Sequence, residues 1–255
     1  MLRAVAFDLW ETLLTDTPEV AARQERLRLH SIESILTSRG YLHTALQIEH
    51  AHGALWNRCF EKYWSVDIDV PTSRQIHHFL EALELDPASF DPGALEELER
   101  AYSIAALEIP PLPVPHAVAA LQASRTMNLG VGLISNTGRT PGRVLREVLS
   151  AHGLSSLIDV MVFSNEHGEC KPRRSIFDKL CEGLGAEHAE VVFVGDNLYA
   201  DVHGAQATGM RAILFKPESR GQAVAPEFDH GLEIVPDATI HTLADLPRVL
   251  AEMKQ

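Results

Sequence analysis

Positive charge is in short supply in this chain. Its 255 residues carry 22 Lys and Arg against 35 Asp and Glu, for a formal net charge of −13. That balance disfavours nucleic acid and anionic membranes as broad partners, though it leaves room for a local positive site that takes an anionic small molecule. Cysteine is scarcer still. Cys59, Cys170 and Cys181 are odd in number and form no CxxC, so no disulfide framework is expected and a reducing compartment fits. No apolar run approaches the ~18 residues needed to span a bilayer. The amino terminus passes from Leu2-Arg3 straight into a short apolar run, which is no signal peptide. The expected location is cytoplasmic. Internal repeats, low-complexity segments and an HExxH are all missing. The spacings of His50 with His52 and of His77 with His78 place each pair on different faces of a helix, so the 13 His residues are read as solvated or core-edge rather than metal-binding.

What the chain does have is a change of pattern near its middle. Residues 3–8 (RAVAFD) read as a strand. Thr17-Pro18-Glu19 then supplies an N-cap, a first-turn proline and an acidic first turn, and apolar residues from Val20 to Leu36 share one helical face up to Gly40. Further helices carry Ile48, Leu55 and Cys59, then Ile76, Phe79 and Leu83. A fourth starts at Asp91-Pro92 and runs through Leu98 and Tyr102. Pro110, Pro111 and Pro113 break that pattern. Beyond them helices and strands alternate: helix 115–127, strand 129–135, helix 141–152, strand 159–164, helix 174–184, strand 190–196, helix 199–208 and strand 210–215. A last strand near 232–235 and a helix over 242–252 close the chain. Alternation of this kind predicts an α/β fold, a Rossmann-like parallel sheet flanked by helices, with ligands at the carboxyl ends of the strands. The expected division is a core of residues 1–15 and 112–255 with an all-α cap, 16–111, inserted after the first strand.

Four polar signals fall at or near predicted strand ends. They are Asp8 in AVAFDLWETLL, Ser135 in VGLISNTG, Lys171 in GECKP, and Asp196 with Asp201 in VVFVGDNLYAD. A carboxylate divides a difficult displacement into two easier steps. A hydroxyl donates to a developing oxyanion or caps the following turn. An ammonium lets two anions approach, and paired acids suit a hard cation. Arg173 and Arg174 read as exposed helix-start residues, and Arg39 as a solvated helix-end cation. Trp56, Phe60, Tyr63 and Trp64 either pack the helical segment or line a cleft facing the core. Gly204, Ala205 and Gly209 are read as allowing close packing of helix on strand. Cys170 neighbours Lys171, but nothing marks it as a nucleophile.

In order and spacing these motifs resemble the haloacid dehalogenase superfamily over residues 3–15 and roughly 113–250, with the helices between resembling its first class of cap. The resemblance implies a Mg²⁺-dependent phosphatase of a small phosphorylated substrate. Asp8 would be the nucleophile, Ser135 and Lys171 would hold the phosphoryl group, and Trp10, Thr12 and Asn136 would lie against substrate. It implies metal ligation by Asp8, the Trp10 backbone carbonyl and Asp196, with Asp201 one layer behind. Trp10 departs from the pattern, because phosphatases of the family carry a general-acid Asp there. Such a group contributes about 10²–10⁴-fold. Glu11 could take its place, although an exposed turn residue is the expected reading. Dehalogenases of the family carry an aromatic at this position, which makes a metal-free 2-haloacid dehalogenase the alternative. Against it, Asp196 and Asp201 without a cation would crowd Asp8 and blunt its nucleophilicity. A phosphate-binding protein with little or no turnover is the third possibility.

Overall fold

The computed structural model describes residues 1–217 and 231–254. The first strand, β1 (Ala4–Phe7), and the short β2 (Leu14–Thr15) precede a helical stretch of α1 (Pro18–Ser38), α2 (Ala45–Lys62), α3 (Thr72–Ala82), α4 (Pro92–Ser103) and α5 (Ala105–Glu108). After β3 (Leu112–Pro113) the chain alternates through α6 (Ala117–Thr126), β4 (Gly130–Ser135), α7 (Gly142–Ala151), β5 (Val160–Phe163) and α8 (Ser164–His167). It continues with α9 (Arg174–Leu184), β6 (Val191–Gly195), α10 (Gly204–Thr208), β7 (Arg211–Phe215), β8 (Ala238–Ile240) and α11 (Leu246–Met253).

Six strands form one parallel sheet in the order β5-β4-β1-β6-β7-β8. Strands apolar at every position belong in a sheet covered on both faces. β1 shows how: Val5 and Phe7 join one apolar cluster with Leu121, Leu145 and Leu250, while Ala4 and Ala6 join a second with Phe177, Leu180 and Ala205. The period of two divides one strand between two cores. Pairing puts Phe7 level with both Leu133 and Val194, so the residues that follow β1, β4 and β6 come out at one edge.

The insertion has its own core of Ile32, Leu36, Leu55, Phe79, Leu98 and Tyr102. Its caps follow the sequence. The Thr17 hydroxyl accepts from the Val20 N–H at 3.3 Å, and Asp91 accepts from the Ala94 N–H at 3.0 Å, each with proline in the first turn. The antiparallel β2–β3 ribbon pairs Thr15 with Leu112, so the chain leaves for the helices and returns at neighbouring positions.

Three expectations need correction. The last strand is Ala238–Ile240, not 232–235; Leu232 and Val235 are exposed, while Ile240 is buried beside β7. The segment expected as a helix over 199–208 opens as a π-helical turn, Leu198–His203, because the Asn197 carbonyl receives the N–H groups of both Asp201 and Val202. Arg39 is no free cation: it pairs with Glu97 at 2.7 Å, joining α1 to α4.

Candidate active site

Asp8, Lys171, Asp196 and Asp201 meet at the carboxyl edge of the sheet. The Asp8 N–H continues the β1–β6 ladder to the Val194 carbonyl at 2.8 Å, which fixes the carboxylate at the strand end. Ligand oxygens of Asp8, Asp196 and Asp201 all lie within 4.8 Å of one another, and all three residues are buried. Lys171 fills the space between two of them. Its Nζ donates to Asp8 Oδ1 at 2.5 Å, Asp201 Oδ1 at 2.6 Å and the Ile134 carbonyl at 3.2 Å, so each ammonium proton has an acceptor. Burial alone would lower the Lys171 pKa, but Asp201 and Asp8 together hold it above its ordinary value. Asp8 moves the other way. Burial raises its carboxyl to about 7 against the opposing pull of Lys171, and Asp201 adds to the rise. Two of the three carboxylates, Asp8 and Asp201, share the Lys171 ammonium, and Asp196 stands beside them.

Several neighbours hold this arrangement. Asn136 clamps the Lys171 backbone from both sides: its Oδ1 accepts the Lys171 N–H at 2.9 Å, and its Nδ2 donates to the Lys171 carbonyl at 3.1 Å. Its side chain therefore positions Lys171 rather than standing free for a substrate. The Asp201 carboxylate accepts from the Asn197 N–H at 3.0 Å, across the π turn that aims it inward. Gly195 makes room for it, since a Cβ there would stand 2.3 Å from the Asp201 carboxyl carbon. Gly204 likewise leaves a close approach to Pro172 and Phe177. Gly209 instead adopts φ +100° at a helix end, with no tight contact around it.

Ser135 has 0% exposure, and among the described residues its hydroxyl has no hydrogen-bond partner; the same is true of the Thr12 hydroxyl. Buried hydroxyls without partners are costly, and the Ser135 hydroxyl stands at the end of the strand beside β1. The three carboxylates, with oxygens within 4.8 Å of one another, form a hard oxygen-donor set that fits a divalent cation such as Mg²⁺.

Trp10 is half-buried and packs against the larger core cluster. Its loop is tight. The Leu9 carbonyl accepts the N–H groups of Leu13 and Leu14, and Glu11 takes φ +58°. Glu11 is not an exposed turn residue. It is 3% exposed, and the Thr15 hydroxyl donates to both its carboxylate oxygens at 2.9 and 3.0 Å.

A clamp that sequence reasoning missed lies beside Lys171. Asp69, between α2 and α3, accepts from the Trp64 indole at 2.9 Å, the Thr137 hydroxyl at 3.0 Å, the Val70 N–H at 2.7 Å and the Ser164 hydroxyl. Ile68 bridges Glu169 in strand fashion, Asp67 accepts the Cys170 N–H, and Arg173 donates to the Val66 carbonyl at 2.8 Å. So Arg173 ties the insertion to the core instead of facing solvent alone. The Trp56 and Trp64 rings meet at a 57° tilt with centroids 4.6 Å apart, and Arg139, on the loop after β4, lies over the Trp56 ring. Cys170 is buried, and burial pushes its thiol well above the ordinary range, so it is inert. A surface hollow lined by Met1, Leu2, Arg3, Asn128 and Lys254 lies at the opposite, amino-terminal ends of the strands and has no carboxylate in its wall.

Residues 2–209 match the haloacid dehalogenase-like hydrolases, and the chain belongs to that family of hydrolases. The ribulose-1,5-bisphosphate 5-phosphatase of Halopiger xanaduensis is 32% identical over 169 residues, spanning 66% of this chain and 69% of that protein. The N-acylneuraminate-9-phosphatase of Rattus norvegicus is 28% identical over 221 residues, spanning 86% and 84%. A 2-haloacid dehalogenase from Pseudomonas syringae superposes with a TM-score of 0.68 at 25% identity, over 99% of this chain and 100% of its own. Among the described residues no helix is long and apolar enough to cross a membrane.

Proposed function

We propose that this hydrolase is a Mg²⁺-dependent phosphatase of a small phosphorylated metabolite, with Asp8 as nucleophile. The observation that carries this reading is the meeting of three buried carboxylates, within 4.8 Å of one another, with the Lys171 ammonium paired to two of them. Asp8 and Asp196, with the Trp10 carbonyl, would hold the ion, and Asp201 would reach it only through its contact with Lys171. Bound Mg²⁺ supplies charge neutralisation and polarises the phosphoryl oxygens. The chain's own groups do the rest. Asp8 attacks phosphorus, the P–O bond to the leaving alcohol breaks, and the phosphoryl group passes to the carboxylate. Lys171 holds Asp8 in line and offsets its charge as the second anion approaches. The Ser135 hydroxyl, which has no partner among the described residues, donates to a phosphoryl oxygen. Water then attacks phosphorus and returns the carboxylate.

Trp10 cannot accept or deliver the leaving-group proton as a carboxyl would, and Glu11 is engaged with Thr15. Activated aryl and acyl phosphates are therefore favoured over alkyl esters. The similarity to phosphatases of two sugar phosphates supports a small-molecule substrate. The β2–β3 ribbon supports a division into a core, 1–15 and 112–255, and a helical cap, 16–111. Trp10 and the superposition on a dehalogenase favour the second reading, displacement of halide from carbon by Asp8. Parallel assays of phosphate release and of halide release from 2-chloropropionate, each with Mg²⁺ and with EDTA, separate the two. Phosphate release abolished by EDTA supports the phosphatase, and halide release that survives EDTA sinks it.

A further inference from the structure

Arg28 on α1 is 3% exposed, yet among the described residues its guanidinium makes no ion pair. Its Nε donates to the Tyr102 carbonyl at 2.7 Å, and its plane lies over the Tyr102 ring at 5.2 Å. Arg139, four residues beyond Ser135 on the loop leaving β4, stacks on Trp56 at 4.2 Å. It too lacks an ion pair among the described residues, and its Nε is buried without a partner. His52 on α2 stands with them. It is 3% exposed, its Nδ1 faces Glu25 at 3.3 Å, and among the described residues its Nε2 has no partner.

The chemistry of this group is specific. Burial lowers the Arg28 pKa, and Arg139 pushes it the same way, so the two cations repel each other. Burial, then Arg139 and Arg28, bring His52 down to about 3. The ring is therefore neutral; with Nδ1–H turned to Glu25, Nε2 presents a lone pair. Acids are plentiful in a chain of net charge −13, and Glu25 and Asp16 lie near enough to raise the Arg28 pKa, but among the described residues none pairs with either guanidinium. Asp16 accepts from Gln24 instead, and Glu25 faces His52. Buried cations left unpaired are expensive, and desolvated guanidinium forks suit carboxylate and phosphate.

We propose that Arg28 and Arg139 form a second anion subsite at the junction of insertion and core, with His52 Nε2 accepting from a hydroxyl beside the bound anion. The substrate would then be a phosphate ester that carries a carboxylate or a further phosphate, plus a nearby hydroxyl. This rests on the phosphatase reading and narrows its substrate class. Arg28 and Arg139 bind and position that end of the substrate; neither takes part in the transfer.

The test uses the full chain with Mg²⁺ and two matched pairs: 3-phosphoglycerate against glycerol 3-phosphate, and fructose 1,6-bisphosphate against fructose 6-phosphate. We expect at least one pair to favour the member with the extra anion by about tenfold or more in kcat/KM, expressed mainly in KM. The pair that responds tells carboxylate from phosphate. Arg139→Met, at a half-buried position, and Arg28→Met should each shrink the ratio, whereas Arg26→Met, on the exposed side of α1, should preserve it. No preference in either pair, or a preference that survives both variants, overturns the proposal. If no ester releases phosphate, the phosphatase reading has failed separately, and the subsite is decided by melting temperature in EDTA. D-glycerate or fructose 1,6-bisphosphate should then stabilise the wild type more than glycerol does, and Arg139→Met should lose that response. An equal response in both proteins, or none in either, overturns it.

Discussion

Lys171→Met removes an ammonium shared by Asp8 and Asp201 while nearly preserving volume. In the wild type its three protons go to Asp8 at 2.5 Å, Asp201 at 2.6 Å and the Ile134 carbonyl at 3.2 Å, all out of solvent. Losing one partner of a buried pair costs about 3–5 kcal/mol, because the remaining charge stays desolvated. Here two carboxylates lose their donor, and Asp196 stands close enough to add repulsion. For a chain of this size such a loss lowers the melting temperature by roughly 10 °C. Urea unfolding in EDTA measures it directly. Mg²⁺ should restore more stability to the variant than to the wild type, since a cation answers the larger deficit. Lys171→Arg keeps the charge but cannot place three donors on these acceptors, so it should hold more stability than Lys171→Met and still lose about 10²-fold or more in turnover. A Lys171→Met protein as stable as wild type in EDTA would refute the charge argument.

Other substitutions probe separate parts of the account. Gly195→Ala places a Cβ 2.3 Å from the Asp201 carboxyl carbon, so the carboxyl must move away; the Mg²⁺ concentration for half-maximal phosphate release should rise, and an unchanged titration would count against the role given to this glycine. Burial raises the Asp16 carboxyl to about 6, against Gln24, with Glu11 adding to the rise. The folded chain then binds that proton more tightly than the unfolded chain does, so the Asp16 contribution is full below about 4 and is lost as pH rises through 6. The melting-temperature difference between Asp16→Asn and wild type should grow in the variant's favour across that window and level off above it; a difference flat from pH 4 to 8 contradicts the shift. Trp10→Asp should raise turnover of alkyl phosphates by up to about 10²-fold and flatten the dependence on leaving group. A leaving-group series with no slope in the wild type would remove the basis for that expectation.

The strand ends were legible because each is local. An apolar run of four to six residues followed by Asp8, Ser135 or Asp196 carries its own signal, and parallel pairing brings the ends together. The helix starts at Thr17 and Asp91 were equally plain, since the accepting cap, the proline and the donor N–H lie within four residues. What escaped depends on distant chain segments meeting. Asn136 clamps the Lys171 backbone across 35 positions, and Asp69 reaches Thr137 across 68 and Ser164 across 95. No periodicity records such pairings. Glu11 was misplaced because its burial follows from a left-handed turn that also engages Thr15, which composition does not encode. The final strand was expected over the apolar 232–235, although backbone pairing with β7 selects Ala238–Ile240. The π turn at Asn197 looks helical in sequence, yet it is what aims Asp201 at Lys171.

The attack of Asp8 on phosphorus is tested most directly by acid-quenching the enzyme during turnover of an aryl phosphate and mapping the phosphoryl group by peptide mass. The expected result is phosphoryl mass on the peptide containing Asp8 in Mg²⁺, and none in EDTA or in Asp8→Asn. Steady phosphate release with no label on that peptide, or with label on another residue, would contradict it.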